Sequence, residues 1–274
     1  MSAARSRTAD GGAQALLTAL FAGDADAVVD VLGADARLDV PRLDPATGEA
    51  AVRALVAGWQ DAYGYRLVDA RVHSAVDTDA GAVTEIRTML AEGDREFPLP
   101  FAIVETLEDG VPSVRMYHSE RLIHGERRGR RAIWPADPEQ EPTPLSEIHP
   151  AVAAYMAAIA SGDAAAVVAR LAPGGMLDNG VTPVTDPADL NSIFRAMVRT
   201  GGARLVKRRE IDDGSVVAFE YTGLPRPAAP GSAPRTPPGG GVGVYTYDDQ
   251  GRIRSVRMYD DFDPDALIAA GSQA

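Results

Sequence analysis

The chain has 274 residues, 45% of them hydrophobic and 24% charged. That is enough apolar material for a folded core and more length than one small domain needs. Its 39 acidic and 27 basic residues leave a net charge of −12, which repels a phosphate backbone and argues against a nucleic-acid partner. There are no cysteines, which excludes disulfides, thiolate nucleophiles and zinc–sulfur sites, and Lys207 is the only lysine open to Schiff-base chemistry.

No apolar run approaches the roughly 18 residues of a membrane span. Residues 1–12 are polar and lack the apolar centre of a secretion signal. They read as a disordered tail on a cytoplasmic protein with no membrane association. Past the tail, Leu16, Leu17, Leu20 and Phe21 recur at helical spacing. Asp24 stands as the N-cap of a short second helix, and a third helix is predicted over 49–62. Asp39 follows Leu38 at the exit of this helical region. Strands are then predicted over 66–76, 82–91, 98–107 and 112–122, with Asp109-Gly110 turning the last hairpin.

Residues 125–146 carry Arg127, Arg128, Arg130 and Arg131 and then a proline-rich stretch. Prolines donate no backbone hydrogen bond and stiffen the chain, so this segment reads as an extended linker. The order of elements then starts again. Val152, Tyr155, Met156 and Ile159 mark a helix, and Asp163 caps a short one. A third helix is predicted over 187–199, with Asp186 as cap, Pro187 at its first position and Asp189 in its first turn. Strands are predicted over 203–211, 215–222, 241–247 and 252–260. The Pro/Gly-rich stretch 224–241 reads either as a surface loop or as a lid over the site.

The two halves repeat each other. GDADAVVDVLGADARLD at 23–39 aligns without a gap to GDAAAVVARLAPGGMLD at 162–178, an offset of 139 (162 minus 23). SVRMY at 113–117 recurs at 255–259, an offset of 142 (255 minus 113). Helices first and a run of strands afterwards is an α+β pattern. The sequence therefore predicts two tandem domains, 13–124 and 147–270. Each has about three helices packed on a curved antiparallel sheet, forming a cone.

These features resemble the SnoaL-like branch of the NTF2-like superfamily. The likeness is carried by ASGDAAAVVARL at 160–171, the Leu-Asp that follows, and VRMYDDFDPDAL at 256–267. It implies a ketosteroid-isomerase-like fold, and the tandem pair also resembles the fused epoxide hydrolase/cyclases that close cyclic ethers. The superfamily holds polyketide cyclases, isomerases, epoxide hydrolases and non-catalytic binding domains. It implies an acid at Asp39 or Asp178 and a second carboxylate early in the sheet, where this chain has Asp69 and Lys207. Packing of the two sheets within one chain, or a homodimer, is the assembly it implies.

Alternation along the last strands gives the remaining candidates, because neighbouring residues face opposite sides. Val114, Met116 and His118 share one face, and so do Val256, Met258 and Asp260. Each cone would then hold one ionisable group on an apolar wall. A carboxylate or imidazole there is shifted by desolvation and by its neighbours, and two such groups serve as acid and base at one pH. The candidate catalytic residues are Asp39, His118, Asp178 and Asp260. The candidate substrate-binding residues are Trp59, Tyr63, Glu85, Met116, Tyr221, Tyr245 and Met258. Glu85 shares its strand face with Arg87, as an inner acid–cation pair or as a surface ion pair.

The four histidines lack metal-ligand spacing, and neither a nucleophile elbow nor a dinucleotide fingerprint is present. The expectation is a cofactor-independent acid–base enzyme acting on a hydrophobic small molecule, a polyketide-tailoring cyclase or isomerase. The alternative is a non-catalytic binding or assembly module with degenerate pockets.

Overall fold

The computed structural model describes residues 11–119, 133–134, 137, 139–178, 182–199, 204–224 and 240–260. Residues 1–10 of the expected tail, the arginine run at 127–131, most of the 224–241 stretch and the exit after Asp260 lie outside the described residues, and Gly12, read as the end of the tail, opens the first helix. The chain divides into two compact units, 1–133 and 134–274. Both are α+β. Among the described residues no helix is long and apolar enough to cross a membrane.

In the first unit, helix α1 (Gly12–Ala22) buries Leu16, Leu17, Leu20 and Phe21 and stops at Gly23, whose φ of 69° suits a residue without Cβ. Helix α2 (Ala25–Leu32) starts where the Asp24 carboxylate accepts the Ala27 N–H at 3.0 Å. Helix α3 (Glu49–Tyr63) buries Val52, Leu55, Val56, Trp59 and Tyr63 on one side, the spacing that docks a helix on a sheet. The strands are β1 (Arg37–Asp39), β2 (Ala46–Thr47), β3 (Arg66–Thr78), β4 (Gly81–Glu92), β5 (Arg95–Pro98), β6 (Phe101–Glu108) and β7 (Val111–Tyr117). They run β2-β1-β7-β6-β4-β3, with β5 paired to β4.

The second unit repeats this plan. Helix α4 (Pro150–Ala160), helix α5 (Ala164–Val168) and helix α6 (Pro187–Arg199) correspond to α1, α2 and α3. Asp163 accepts the Ala165 N–H at 2.9 Å, and Asp186 accepts the N–H groups of Ala188 and Asp189 at 2.8 and 3.2 Å. The strands are β8 (Leu171–Asp178), β9 (Pro183–Val184), β10 (Leu205–Asp212), β11 (Val216–Gly223), β12 (Gly241–Tyr247) and β13 (Ile253–Tyr259). Read from β9, their order is β9-β8-β13-β12-β11-β10. It matches the first sheet strand for strand apart from β5, which has no counterpart among the described residues.

Three expectations change. Both sheets are mixed, not antiparallel, because β1 pairs parallel with β7 and β8 pairs parallel with β13. Leu38-Asp39 and Leu177-Asp178 therefore end strands and do not close the helical region; β1 has three residues, too few to show alternation, and Pro173-Gly174-Gly175 interrupts the pattern of β8. The strand expected over 98–107 is divided, since β5 ends at Pro98 and β6 starts at Phe101. A 3-10 turn at Leu145–Glu147 also forms within the segment read as linker.

One face of each sheet packs on its helices. In the first unit Leu38, Ile86, Leu90, Phe101, Ile103, Val114 and Met116 join α1, α2 and α3 in one apolar core. In the second, Leu177, Val217, Phe219, Tyr221, Tyr245 and Val256 join α4 and α6. We call this the inner face of each sheet. Replacing Asp24 by Ala should cost about 1 kcal/mol, the usual value of an N-cap, read as a lowered urea midpoint. An unchanged midpoint would mean the cap bond carries no net stability.

Candidate functional site

The inner face of the first unit carries an aromatic cluster around a histidine. His118 follows directly on β7 and is fully buried. Its ring lies 5.0 Å from Phe101 and 5.6 Å from Tyr63. Trp59 stacks on Tyr63 at 4.1 Å, one turn earlier on α3, and Phe21 of α1 meets Trp59 edge-on at 5.4 Å. The Arg42 guanidinium sits 5.0 Å over the Tyr63 ring, and its Nη1 donates to the Ala62 carbonyl at 2.7 Å. Trp59, Tyr63, Met116 and His118 are thus brought together.

Asp39 is not brought to them. In the β1–β7 ladder Leu38 stands beside Val114, both in the core, whereas Asp39 stands beside Arg115 on the other face. Its carboxylate accepts from Arg37 Nη2 at 3.3 Å. The second unit repeats the placement, with Leu177 beside Val256 and Asp178 beside Arg257. The expected pairs Asp39–His118 and Asp178–Asp260 are therefore split between opposite faces of their sheets. The reason is the two-residue period of a strand, which sends a residue to the face opposite the leucine before it.

Glu85 is corrected in the same way. Its neighbour Ile86 pairs with Phe101 on the inner face, so Glu85 points to the outer one. It is fully buried and accepts from Ser74 Oγ at 2.7 Å, while Arg87 is exposed. Glu220 holds the same position in the second sheet, between Phe219 and Tyr221 of the core, and lies 3.8 Å from Arg209. The outer face also buries Arg115, which pairs with Glu108 at 2.6 Å and donates to Ser113 Oγ at 3.1 Å. Sequence reasoning missed Glu105. It alternates with Phe101 and Ile103 on β6, stands beside Val114 and is buried. The period of FAIVETLE carried that signal.

The inner face of the second unit is built from tyrosines. Tyr221 donates from its hydroxyl to the Asp260 carboxylate, and both are buried. Tyr221 lies on β11 opposite Gly241 of β12, and Asp260 follows the end of β13. A Cβ on Gly241 would come within 2.7 Å of the Asp260 Cβ and 3.1 Å of the Tyr221 hydroxyl. A Cβ on Gly243 would come within 2.8 Å of the Tyr245 ring. The two glycines clear one wall, and Tyr245 lies back across it.

The ladders show what fills this wall in the first unit. Ala102 pairs with Tyr117 and Val242 with Tyr259, so Gly241 and Gly243 match Phe101 and Ile103. Tyr221 likewise matches Ile86, since these two face Gly241 and Phe101. Gly243→Val should overpack the wall and cost about 1–3 kcal/mol. A thermal midpoint equal to that of the unsubstituted chain would mean that Tyr245 moves aside freely.

Two of the phenols here are held protonated. Burial, and then the Asp260 charge, push Tyr245 well above its ordinary value. Burial, and then Tyr245, do the same to Tyr155 of α4. The Tyr155 ring is 6.2 Å from Tyr245 and 6.1 Å from Phe194, and its buried hydroxyl has no hydrogen-bond partner among the described residues. Such a group costs about 1–3 kcal/mol unless something accepts from it. Met258 packs at the margin of the same core. Phe219 stacks on Tyr221 at 5.9 Å. One carboxylate and three phenols thus line an apolar wall, a set that can exchange a proton with one atom and donate to another.

No protein-family model and no curated protein matches the sequence. Solved structures do match parts of the chain. One is the epoxide hydrolase/cyclase-like enzyme SalBIII, described for pyran ring formation in the polyether salinomycin. It is 20% identical, covers 42% of this chain and 89% of its own, and has a TM-score of 0.35. An M. tuberculosis LEH-like epoxide hydrolase is 20% identical over 44% of this chain and 89% of its own, with a TM-score of 0.33. A protein of Catenulispora acidiphila with a ketosteroid isomerase-like fold is 15% identical over 42% of this chain and 91% of its own, with a TM-score of 0.34.

Proposed function

We propose that the inner face of the second unit is an acid–base site for a hydrophobic small molecule, and that the chain is a cyclase or isomerase that needs no cofactor. The observation that carries this reading is the buried hydrogen bond from Tyr221 to Asp260. An apolar wall with one carboxylate disfavours bulk water and holds the base in a fixed direction. In the reaction class this fits, Asp260 takes a proton from a carbon next to a carbonyl. A phenol of the Tyr155–Tyr245 pair donates to the carbonyl oxygen as it gains charge. Asp260 then returns the proton to a second carbon, so the double bond moves and no atom is gained or lost. Opening of an epoxide by an internal hydroxyl uses the same two roles. A phenol donates to the ring oxygen, and the carboxylate accepts the proton of the attacking group.

The first unit, with Phe101, Ile103 and Ile86 where the second has two glycines and Tyr221, is proposed as its filled counterpart. This supports one working site per chain, with His118 and Asp39 outside it.

The test uses 3-cyclohexenone, which becomes the conjugated 2-cyclohexenone with a rise in ultraviolet absorbance, and styrene oxide for ring opening. Turnover of either, lowered by Tyr221→Phe, supports the site. Turnover that persists in full in Tyr221→Phe and in Tyr155→Phe places the chemistry elsewhere. If neither compound is turned over while 2-cyclohexenone still binds, the binding-module reading replaces this one.

A further inference from the structure

The start of α4 is held in an uncommon way. Its N-cap is His149, whose ring Nδ1 accepts the Ala151 N–H at 3.3 Å. The usual caps are Ser, Thr, Asp and Asn, whose oxygens keep their lone pairs across ordinary pH. An imidazole keeps the Nδ1 lone pair only while neutral, and histidine is the side chain whose charge changes between about pH 5 and 8. With Nδ1 accepting, the proton of the neutral ring is on Nε2, which faces Asp212 Oδ2 at 3.6 Å. The ring leans on Tyr247 at 4.6 Å, and the Tyr247 hydroxyl donates to the other oxygen of Asp212 at 2.8 Å. The backbone N–H of His149 donates to Glu210 Oε2 at 2.9 Å.

We infer that His149 is a proton-operated latch on α4: neutral, it caps the helix; protonated, it releases the first turn and turns toward Asp212. Protonation places a hydrogen on Nδ1, so two donors confront each other where a hydrogen bond stood. A cation at a helix N-terminus also opposes the helix dipole. The surrounding charges pull the other way. Asp212 faces the ring from β10, Glu210 of the same strand accepts the His149 backbone N–H, and Asp213 lies in the turn after it. Lys207 of the same strand is occupied by the Glu147 carbonyl and lies 3.8 Å from Glu210. Asp248 after β12 is held by Arg252 at 2.8 Å. The ring has room to turn, because it borders a cavity of about 740 Å³ shared with Ser215, Tyr247, Asp249 and Arg254.

The consequence for chemistry rests on the proposed site: α4 carries Tyr155 into the inner face, so loss of its first turn loosens a donor of that site. The test does not depend on turnover. Amide exchange at Ala151 and along the first turn of α4 is measured in the whole chain at about pH 7.5 and 5.5, corrected for intrinsic rates. Protection should fall roughly fivefold at the lower pH, the size of one cap. In His149→Asn, which caps without titrating, protection should be the same at both pH values. In His149→Ala it should be low at both. Protection that holds or rises at the lower pH in the unsubstituted chain overturns the latch. So does a pH dependence that survives in His149→Asn. Either result leaves the Tyr221–Asp260 reading standing, and loss of 3-cyclohexenone turnover alone does not bear on the latch.

Discussion

Asp260→Asn should lower turnover of a responsive substrate by about 10²–10⁴-fold, the contribution of one positioned proton transfer, while the chain stays folded. Asparagine has the size and shape of aspartate and still offers an oxygen to the Tyr221 hydroxyl. It therefore keeps the bond observed between these side chains and removes only the capacity to carry a proton. Asp260→Ala is the less informative change, because it leaves the buried Tyr221 hydroxyl without this acceptor, at a cost of about 1–3 kcal/mol. The two readouts separate chemistry from packing. A fall in turnover with an unchanged urea midpoint identifies Asp260 as the base. Full turnover in Asp260→Asn would remove it from the mechanism.

Trp59→Ala should be the most damaging single change in the first unit, at about 3–5 kcal/mol. The indole is fully buried, stacked on Tyr63 and met edge-on by Phe21. Its removal opens a void between α1 and α3 that these two rings can refill only by leaving their own contacts. The measurement is urea unfolding, followed by circular dichroism because the substitution removes a fluorophore. A loss below about 1 kcal/mol, the scale of a surface change, would mean that the cluster collapses into the gap. The same variant bears on the assignment of the working site. Full turnover at temperatures where the variant stays folded is the result expected of a filled first unit.

The alternation of VRMY was legible in the sequence because a seven-residue strand shows its period clearly. It set Val256 and Met258 on the core side and Asp260 after them, as the packing has it. The partner of Asp260 was not legible. Tyr221 reaches it across Gly241, and that contact depends on the register of three strands, which no local pattern encodes. Asp39 was misplaced because β1 is three residues long, and Asp178 because Pro173-Gly174-Gly175 interrupts the pattern of β8; what identifies both as strands is a ladder to residues far along the chain. Glu85 was misread for another reason. Glutamates at a strand surface are commonplace, and nothing local says that both faces of this sheet are buried.

The parallel ladder between β1 and β7 also governs when the first unit can form. Asp39 pairs with Arg115, 76 residues later (115 minus 39). A nascent chain growing at about 5–20 residues per second leaves Leu38 without its β7 neighbour for roughly 4–15 s. During that time α1, α2 and α3 can associate, but the strand beside them has only the two-residue β2 to pair with. The second unit waits in the same way for β13 to reach β8. Each unit should thus close late and all at once, with its slowest step at the arrival of its final strand, as expected for a topology rich in distant contacts.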